Sequence, residues 1–278
     1  MHNKLEGKVA LITGSGRGIG RNVALQLAAL GARVVINDLD QAPAEETVAD
    51  IRAAGGDAVA CVGSVTAPDF ADRFLKTAMD AYGTIDIIVN NAGFTWDNVI
   101  QKMSDDQWDA IIECHLTAPF RILRAAQPII SALAKKEAAE GREVFRKVVN
   151  ISSGAAGGNA GQANYSSAKA GILGMTKCLA KEWGRLKVNV NAVAFGLIDT
   201  RLTQALAGED SKTVNIEGRE IKVGVQQARL DAASTAIPLG RPGKPEEAAG
   251  SVVLFCLPES NYLSGQTLYC GGGPGSNF

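Results

Sequence analysis

Short, almost wholly apolar runs recur along the chain. Between them lie longer stretches in which apolar residues return every three or four positions. VALIT at 9–13 and VVIN at 34–37 are the first two runs, and 58–62, 85–89, 148–151, 188–193 and 267–270 repeat the type. β-Branched runs without alternating polar positions predict strands buried on both faces. Stretches 19–30, 42–54, 70–82 and 168–184 carry helical periodicity. Strands alternating with helices predict a parallel sheet covered on both sides. The expected architecture is doubly wound α/β, of Rossmann type, in a single domain over 1–278.

Two segments stand outside that rhythm. AKKEAAEGREVFR (134–146) is charged and Ala-rich, and predicts a solvated end to a long helix that turns at Gly141 into the next strand. The second, 203–234, contains GREIKVG, which predicts a small hairpin. A long insertion in a compact domain is often a lid or binding loop, so a substrate lid is expected over about 202–234.

Composition narrows the function. The chain has 278 residues, 46% of them hydrophobic, and a formal net charge of −1. That balance gives no electrostatic reason to expect nucleic acid or an anionic membrane as partner. No apolar window reaches the ~18 residues of a transmembrane helix. MHNKLEGKVALITG lacks the apolar core of a signal peptide, which points to a cytosolic location. Five cysteines, none in a CxxC pair, read as buried thiols in a reducing compartment. His2 and His115 are the two histidines, so a metal site of several His or Cys ligands is not expected. There is no GxSxG turn for a hydrolase nucleophile.

The first strand runs into TGSGRGIG (13–20) and then a helix. Glycines at such a junction let backbone approach a pyrophosphate, and the helix amino end offers unpaired N–H groups to it. Alone the pattern is also that of a tight turn; the strand–loop–helix context makes it a dinucleotide signal. Asp38 follows the second strand, 18 residues beyond Gly20. A carboxylate there accepts from the adenosine ribose and repels a 2′-phosphate, favouring NAD. Arg17 pulls the other way, and Asp38 outweighs it.

ISSGAAGGNAGQANYSSAK (151–169) carries the second signal. Tyr165 and Lys169 are i, i+4 and share one helical face. An ammonium beside a phenol is expected to lower the phenol's pKa, making it a usable acid and base for a carbonyl or alcohol. A serine at the preceding strand end, Ser152 or Ser153, is placed to hydrogen-bond the same oxygen. With a dinucleotide site, these groups describe carbonyl/alcohol oxidoreduction with nicotinamide carrying the hydride.

TGSGRGIG, NNAG (90–93), NISS (150–153), YSSAK (165–169), PLGRPGKPEEAA (238–249) and LSGQTLYCGGG occur in order, and together they resemble the short-chain dehydrogenase/reductase superfamily over about residues 5–273. GQANYSSAKAG is similar to its 3-oxoacyl-thioester reductase and 3-hydroxyacyl dehydrogenase-like branch. The resemblance implies that Tyr165 is the general acid/base and that Lys169 tunes it and binds the nicotinamide ribose. It assigns Gly14, Ser15, Arg17, Gly18, Ile19 and Gly20 to the diphosphate. Asp38, with Leu39, and Asn91, Ala92 and Gly93 flank the adenosine ribose. Ser64 and Val65 line the adenine pocket, and Ile198 and Thr200 meet the carboxamide. It further implies a homotetramer. Counting 13 residues back from the Tyr of most relatives selects Ser152; aligning the strand end selects Ser153. Loops absorb deletions more readily than strands, so Ser153 is expected to be the working serine.

Four positions depart from the family pattern. His115 stands where Asn supports a helix kink and a proton relay; imidazole also hydrogen-bonds and passes protons, so His115 is a candidate relay residue or a packed core histidine. Ser64 replaces Asp or Asn, Phe195 replaces Pro, and Gly271 replaces Asp. The expected activity is NAD-dependent interconversion of a secondary alcohol and a ketone, on a hydroxyacyl thioester or an alicyclic or steroid-like alcohol. The alternatives are an NADP-dependent 3-oxoacyl-thioester reductase and, in another class, a non-catalytic dinucleotide sensor or scaffold.

Overall fold

Seven parallel strands form the central sheet of this computed structural model, which describes residues 3–200, 203, 213–222 and 235–273. They are β1 (Val9–Ile12), β2 (Arg33–Ile36), β3 (Asp57–Ala60), β4 (Ile87–Asn90), β5 (Arg146–Ser153), β6 (Val188–Phe195) and β9 (Thr267–Cys270). Their spatial order is β3-β2-β1-β4-β5-β6-β9. The strand order therefore reverses between β1 and β4, and a crevice opens there at the strands' carboxyl ends.

Both faces of the sheet are covered. Ala10 and Ile12 pack with helices α1 (Gly18–Ala29), α2 (Gln41–Ala53) and α7 (Pro245–Cys256). Val9 and Leu11, pointing the opposite way, pack with α3 (Phe70–Tyr82) and α5 (Ala118–Ala139). All four residues of β1 are buried, which explains why the strand reads as a continuous apolar run rather than an alternation.

Several elements differ from the sequence expectation. Helix α6 (Ala163–Trp183) starts five residues ahead of the predicted 168, so Tyr165 and Lys169 both lie on it. Its start is held by tertiary contact: the buried Asn164 amide donates to Gln107 O at 2.9 Å and Trp96 O at 3.2 Å. Helix α4 (Asp105–Ile112) is additional and opens on a reciprocal capping box between Ser104 and Gln107. A π-helical turn, Glu113–Thr117, joins it to α5 and buries His115.

The 134–146 segment does extend α5 and turn at Gly141, whose φ is +71°. It is not simply a solvated end. Arg146 forms a bidentate pair with Glu137 at 2.7 and 2.8 Å, both residues are buried, and its Nε donates to Ile85 O. In the second segment, β7 (Thr213–Ile216) and β8 (Arg219–Lys222) form an antiparallel hairpin, displaced toward the amino end of GREIKVG. Apart from Thr203 and this hairpin, the expected lid, 202–234, lies outside the described residues, as does His2.

Candidate active site

A cleft of about 850 Å³ lies over the β1/β4 crevice. One end is the glycine loop. Gly14 has φ +62°, and a Cβ on it would come within 2.8 Å of Ala92 Cα; on Gly20 it would lie 2.2 Å from Gly14 O. Only glycine lets these backbones meet. Helix α1 then begins at Gly18 with no side-chain cap and no acidic residue in its first turn. Its free N–H groups and positive dipole end fit a diphosphate.

Arg17, Gly18, Ile19, Gly20 and Gly14 line the cleft, and Ser15 does not. The Ser15 hydroxyl is buried, donating to Ile12 O at 2.8 Å and accepting from Asn37 N at 3.0 Å. Its N–H is taken by Asn37 O at 2.6 Å. Ser15 therefore ties the loop to the end of β2. Asp38 is buried beneath Gly16, where a Cβ would come within 2.6 Å of its carboxylate. Arg17 is paired with Asp40 at 2.6 Å, so its charge is partly answered by a carboxylate that the sequence reading did not weigh. Leu39, Ser64, Val65, Asn91, Ala92, Gly93, Ile198 and Thr200 all line the same cleft. Asn91 anchors the junction by donating to Thr13 O and Gly14 O at 2.9 and 3.0 Å.

At the other end, Ser153, Tyr165, Lys169 and His115 come together. Ser153 hydrogen-bonds Tyr165. Ser152 faces away: its hydroxyl is buried and donates to Lys169 O at 2.8 Å. The Lys169 ammonium lies 5.5 Å from the Tyr165 ring centroid and donates to Ile151 O at 2.7 Å. Burial pushes Lys169 down to about 8 and pushes Tyr165 up to about 12, with the Ser153 hydrogen bond opposing the latter. The expected lowering of the tyrosine pKa is thus overturned here. Desolvation of the phenolate is the largest influence on Tyr165 and exceeds the opposing help from Ser153. At neutral pH Tyr165 is a protonated phenol.

His115 Nε2 lies 2.6 Å from Phe94 O and 3.2 Å from Phe94 N. Burial, then the nearby Lys169 charge, pushes its pKa well below the usual value, so the ring is neutral. The shorter contact places the proton on Nε2. Nδ1 is then a buried acceptor without a partner among the described residues. The ring stands edge-on to Tyr165 with centroids 5.0 Å apart. Only glycine fits at 93, where a Cβ would lie 2.2 Å from His115 Cε1.

The family model described as short chain dehydrogenase matches residues 8–211. The chain belongs to the short-chain dehydrogenase family. This short-chain dehydrogenase is 37% identical to a 3-oxoacyl-[acyl-carrier-protein] reductase of Vibrio cholerae, over 97% of its own length and 98% of the relative's. It is 39% identical to another of that name from Synechocystis, covering 97% of each. A solved structure described as a putative gluconate dehydrogenase from Agrobacterium tumefaciens superposes with a TM-score of 0.82 at 31% identity, covering 98% of each chain. A short-chain dehydrogenase/reductase from Brucella melitensis, described as glucose/ribitol dehydrogenase, gives 0.79 at 26%, again over 98% of each chain. The short-chain dehydrogenase is therefore an oxidoreductase acting on CH–OH groups with a nicotinamide dinucleotide.

The sequence reading missed some cleft residues. Asp97 accepts from Gln162 at 2.7 Å, and Gln162 from Asn159 at 2.7 Å, forming a polar rim. Asp97 is also one of the charges that raise Tyr165. Glu217, from the hairpin, is a second cleft-lining residue that the sequence did not single out. Nothing in the local sequence marks either; both arrive through loops whose paths depend on the whole fold.

Proposed function

We propose that the protein interconverts 3-oxoacyl and 3-hydroxyacyl thioesters, working as a reductase with NADH. What supports the direction is the half-buried Tyr165 beside Ser153, its phenol pushed up to about 12 by burial and so a proton donor at neutral pH. A phenol in that state is an acid, ready to protonate a carbonyl oxygen as it gains electrons. The substrate class is supported by the relatives' names at 37–39% identity over nearly the full chain. They favour it over the broader alicyclic or steroid-like alcohols. The juxtaposition of Tyr165 and Lys169 weighs against a non-catalytic sensor.

In this reading the glycine loop and the α1 amino end hold the diphosphate, and Asp38 takes the adenosine ribose. Lys169 takes the other ribose. The bound dinucleotide supplies the hydride. Ser153 donates to the 3-oxo oxygen and orients it, and Tyr165 passes its proton to that oxygen. Lys169 keeps a positive charge beside the phenol as it loses that proton. His115 holds the backbone at Phe94, and its free Nδ1 is placed to accept from a relay water. Phe94, Phe195 and Leu197 supply apolar walls.

The reading takes the whole chain as one cytosolic catalytic domain with 202–234 over the substrate, assembled as a homotetramer. A second reading, with NADPH, is favoured by Arg17; its pairing to Asp40 and the presence of Asp38 favour NADH. The test is initial-rate reduction of acetoacetyl-CoA with each nucleotide, beside a panel of cyclic ketones. Faster turnover of the thioester with NADH supports the proposal. Preference for a cyclic ketone refutes the substrate class, and preference for NADPH refutes the role of Asp38.

A further inference from the structure

The β7–β8 hairpin carries a carboxylate into the nucleotide end of the cleft. Glu217 and Gly218 form its two-residue loop, with φ +53° and +82°, the left-handed pair of a type I′ turn. A residue with a Cβ is disfavoured in that conformation, so surrounding contacts must hold it. The hydroxyls of Ser64 and Thr66 both donate to Glu217 Oε1, the latter at 2.8 Å. Arg219 clamps the hairpin to α4 through Asp106, at 2.8 and 3.2 Å, and lies 6.0 Å from the Trp96 ring centroid. Ile221 is buried in the cluster that contains Ile111 and Ala168.

Glu217 therefore shares a wall of the cleft with Asp38, Ser64 and Val65. An ionised carboxylate is purely an acceptor, with about four lone-pair sites on its two oxygens. The two hydroxyls use part of that capacity, and Arg219 approaches Oε2 only at 3.4 Å. The remaining capacity selects a ligand edge that presents an N–H. Among purines, adenine presents an exocyclic amino group there, and hypoxanthine presents an oxygen.

We propose that Glu217 is a specificity-determining residue for the dinucleotide: it accepts a hydrogen bond from the adenine amino group, so that the inserted hairpin reads the nucleotide. This rests on the cleft being a nicotinamide-dinucleotide site with its adenine end at Ser64 and Val65. Arg219 acts through Glu217 as a positioning residue.

The test is equilibrium binding, followed by nucleotide fluorescence, of NADH and of its hypoxanthine analogue. If NADPH is the tighter ligand, it and its own hypoxanthine analogue are used. The wild-type protein should bind the adenine form about tenfold more tightly, the size of one hydrogen bond to a charged group. In Glu217→Ala the preference should fall to within about twofold through weaker binding of the adenine form alone. Glu217→Gln, which keeps the turn and can present an amide N–H to the oxygen, should also lose the preference, and so should Arg219→Ala. An undiminished preference in Glu217→Ala, equal weakening of both ligands, or no preference in the wild type would overturn the proposal. Failure of the wild type to bind any of these nucleotides sinks the dinucleotide reading itself, a different result from binding without discrimination.

Discussion

Ser152 and Ser153 are neighbours at the end of β5, and their hydroxyls serve opposite sides of the strand. Ser152 donates to Lys169 O inside the protein, and Ser153 bonds to Tyr165 in the cleft. Ser153→Ala should lower kcat by about 10²-fold or more, the usual scale for losing a hydrogen bond to the reacting oxygen. Ser152→Ala should leave kcat within a few fold and cost about 1 kcal/mol of stability through the lost buried hydrogen bond to Lys169 O. Steady-state kinetics and urea denaturation of both variants check the assignment; the reverse ranking would show Ser152 to be the working serine.

Tyr165 and the buried Lys169 set the pH dependence. Lys169 has its pKa lowered to about 8, so it keeps its proton below that pH and loses it above. Tyr165, raised to about 12, stays protonated throughout. Reductive kcat/KM should therefore fall as pH rises through about 8. Lys169→Met should abolish that limb along with most of the activity. It should not cost stability at pH 7, because an apolar chain replaces a charge that burial disfavours. Rate–pH profiles and a denaturation midpoint for the variant check both halves.

His115 titrates far below its usual range. The rate profile should consequently be flat from about pH 5.5 to 7.5, where an ordinary histidine would show a limb. His115→Asn, which retains hydrogen-bonding capacity toward Phe94, should keep more activity than His115→Leu. A limb near pH 6.5 that disappears in His115→Asn would show that the ring charges in the working range.

Far from the cleft chemistry, Glu137→Ala strands the buried Arg146 guanidinium. Removing one partner of a buried pair costs about 3–5 kcal/mol. The expected outcome is a large drop in urea midpoint with KM for acetoacetyl-CoA unchanged in the folded protein.

Much of the fold was legible in the sequence because parallel strands buried on both faces announce themselves as apolar runs, as in β1, β5 and β6. The cleft was legible where chemistry is tied to local spacing, as in the glycine loop and the Tyr165–Lys169 turn. Other features depended on distant partners. Ser15 belongs to a motif, but its hydroxyl was claimed by Ile12 and Asn37. The start of α6 depends on Asn164 meeting the main chain of α4 and of the loop before it. The SDDQ capping box of α4 is written in local spacing, whereas the packing of His115 in the π-helical turn against Gly93 and Phe94 depends on a distant loop. The tyrosine pKa was misjudged because helical spacing reports proximity to Lys169 and is silent about burial.

The strand order has a consequence for how the molecule forms. Gly14 N meets Asn37 Oδ1 across 23 residues of chain, whereas Val9 N reaches Asp86 Oδ2 across 77. Closing the second loop costs more chain entropy. The glycine loop can thus take shape early on β1 and β2, and so can β5 with α6, where Ser152 reaches Lys169 O across 17 residues; joining the two halves at β1 and β4 waits for the long-range pairing. Refolding monitored at the β1–β4 junction should lag refolding monitored within the first βαβ unit.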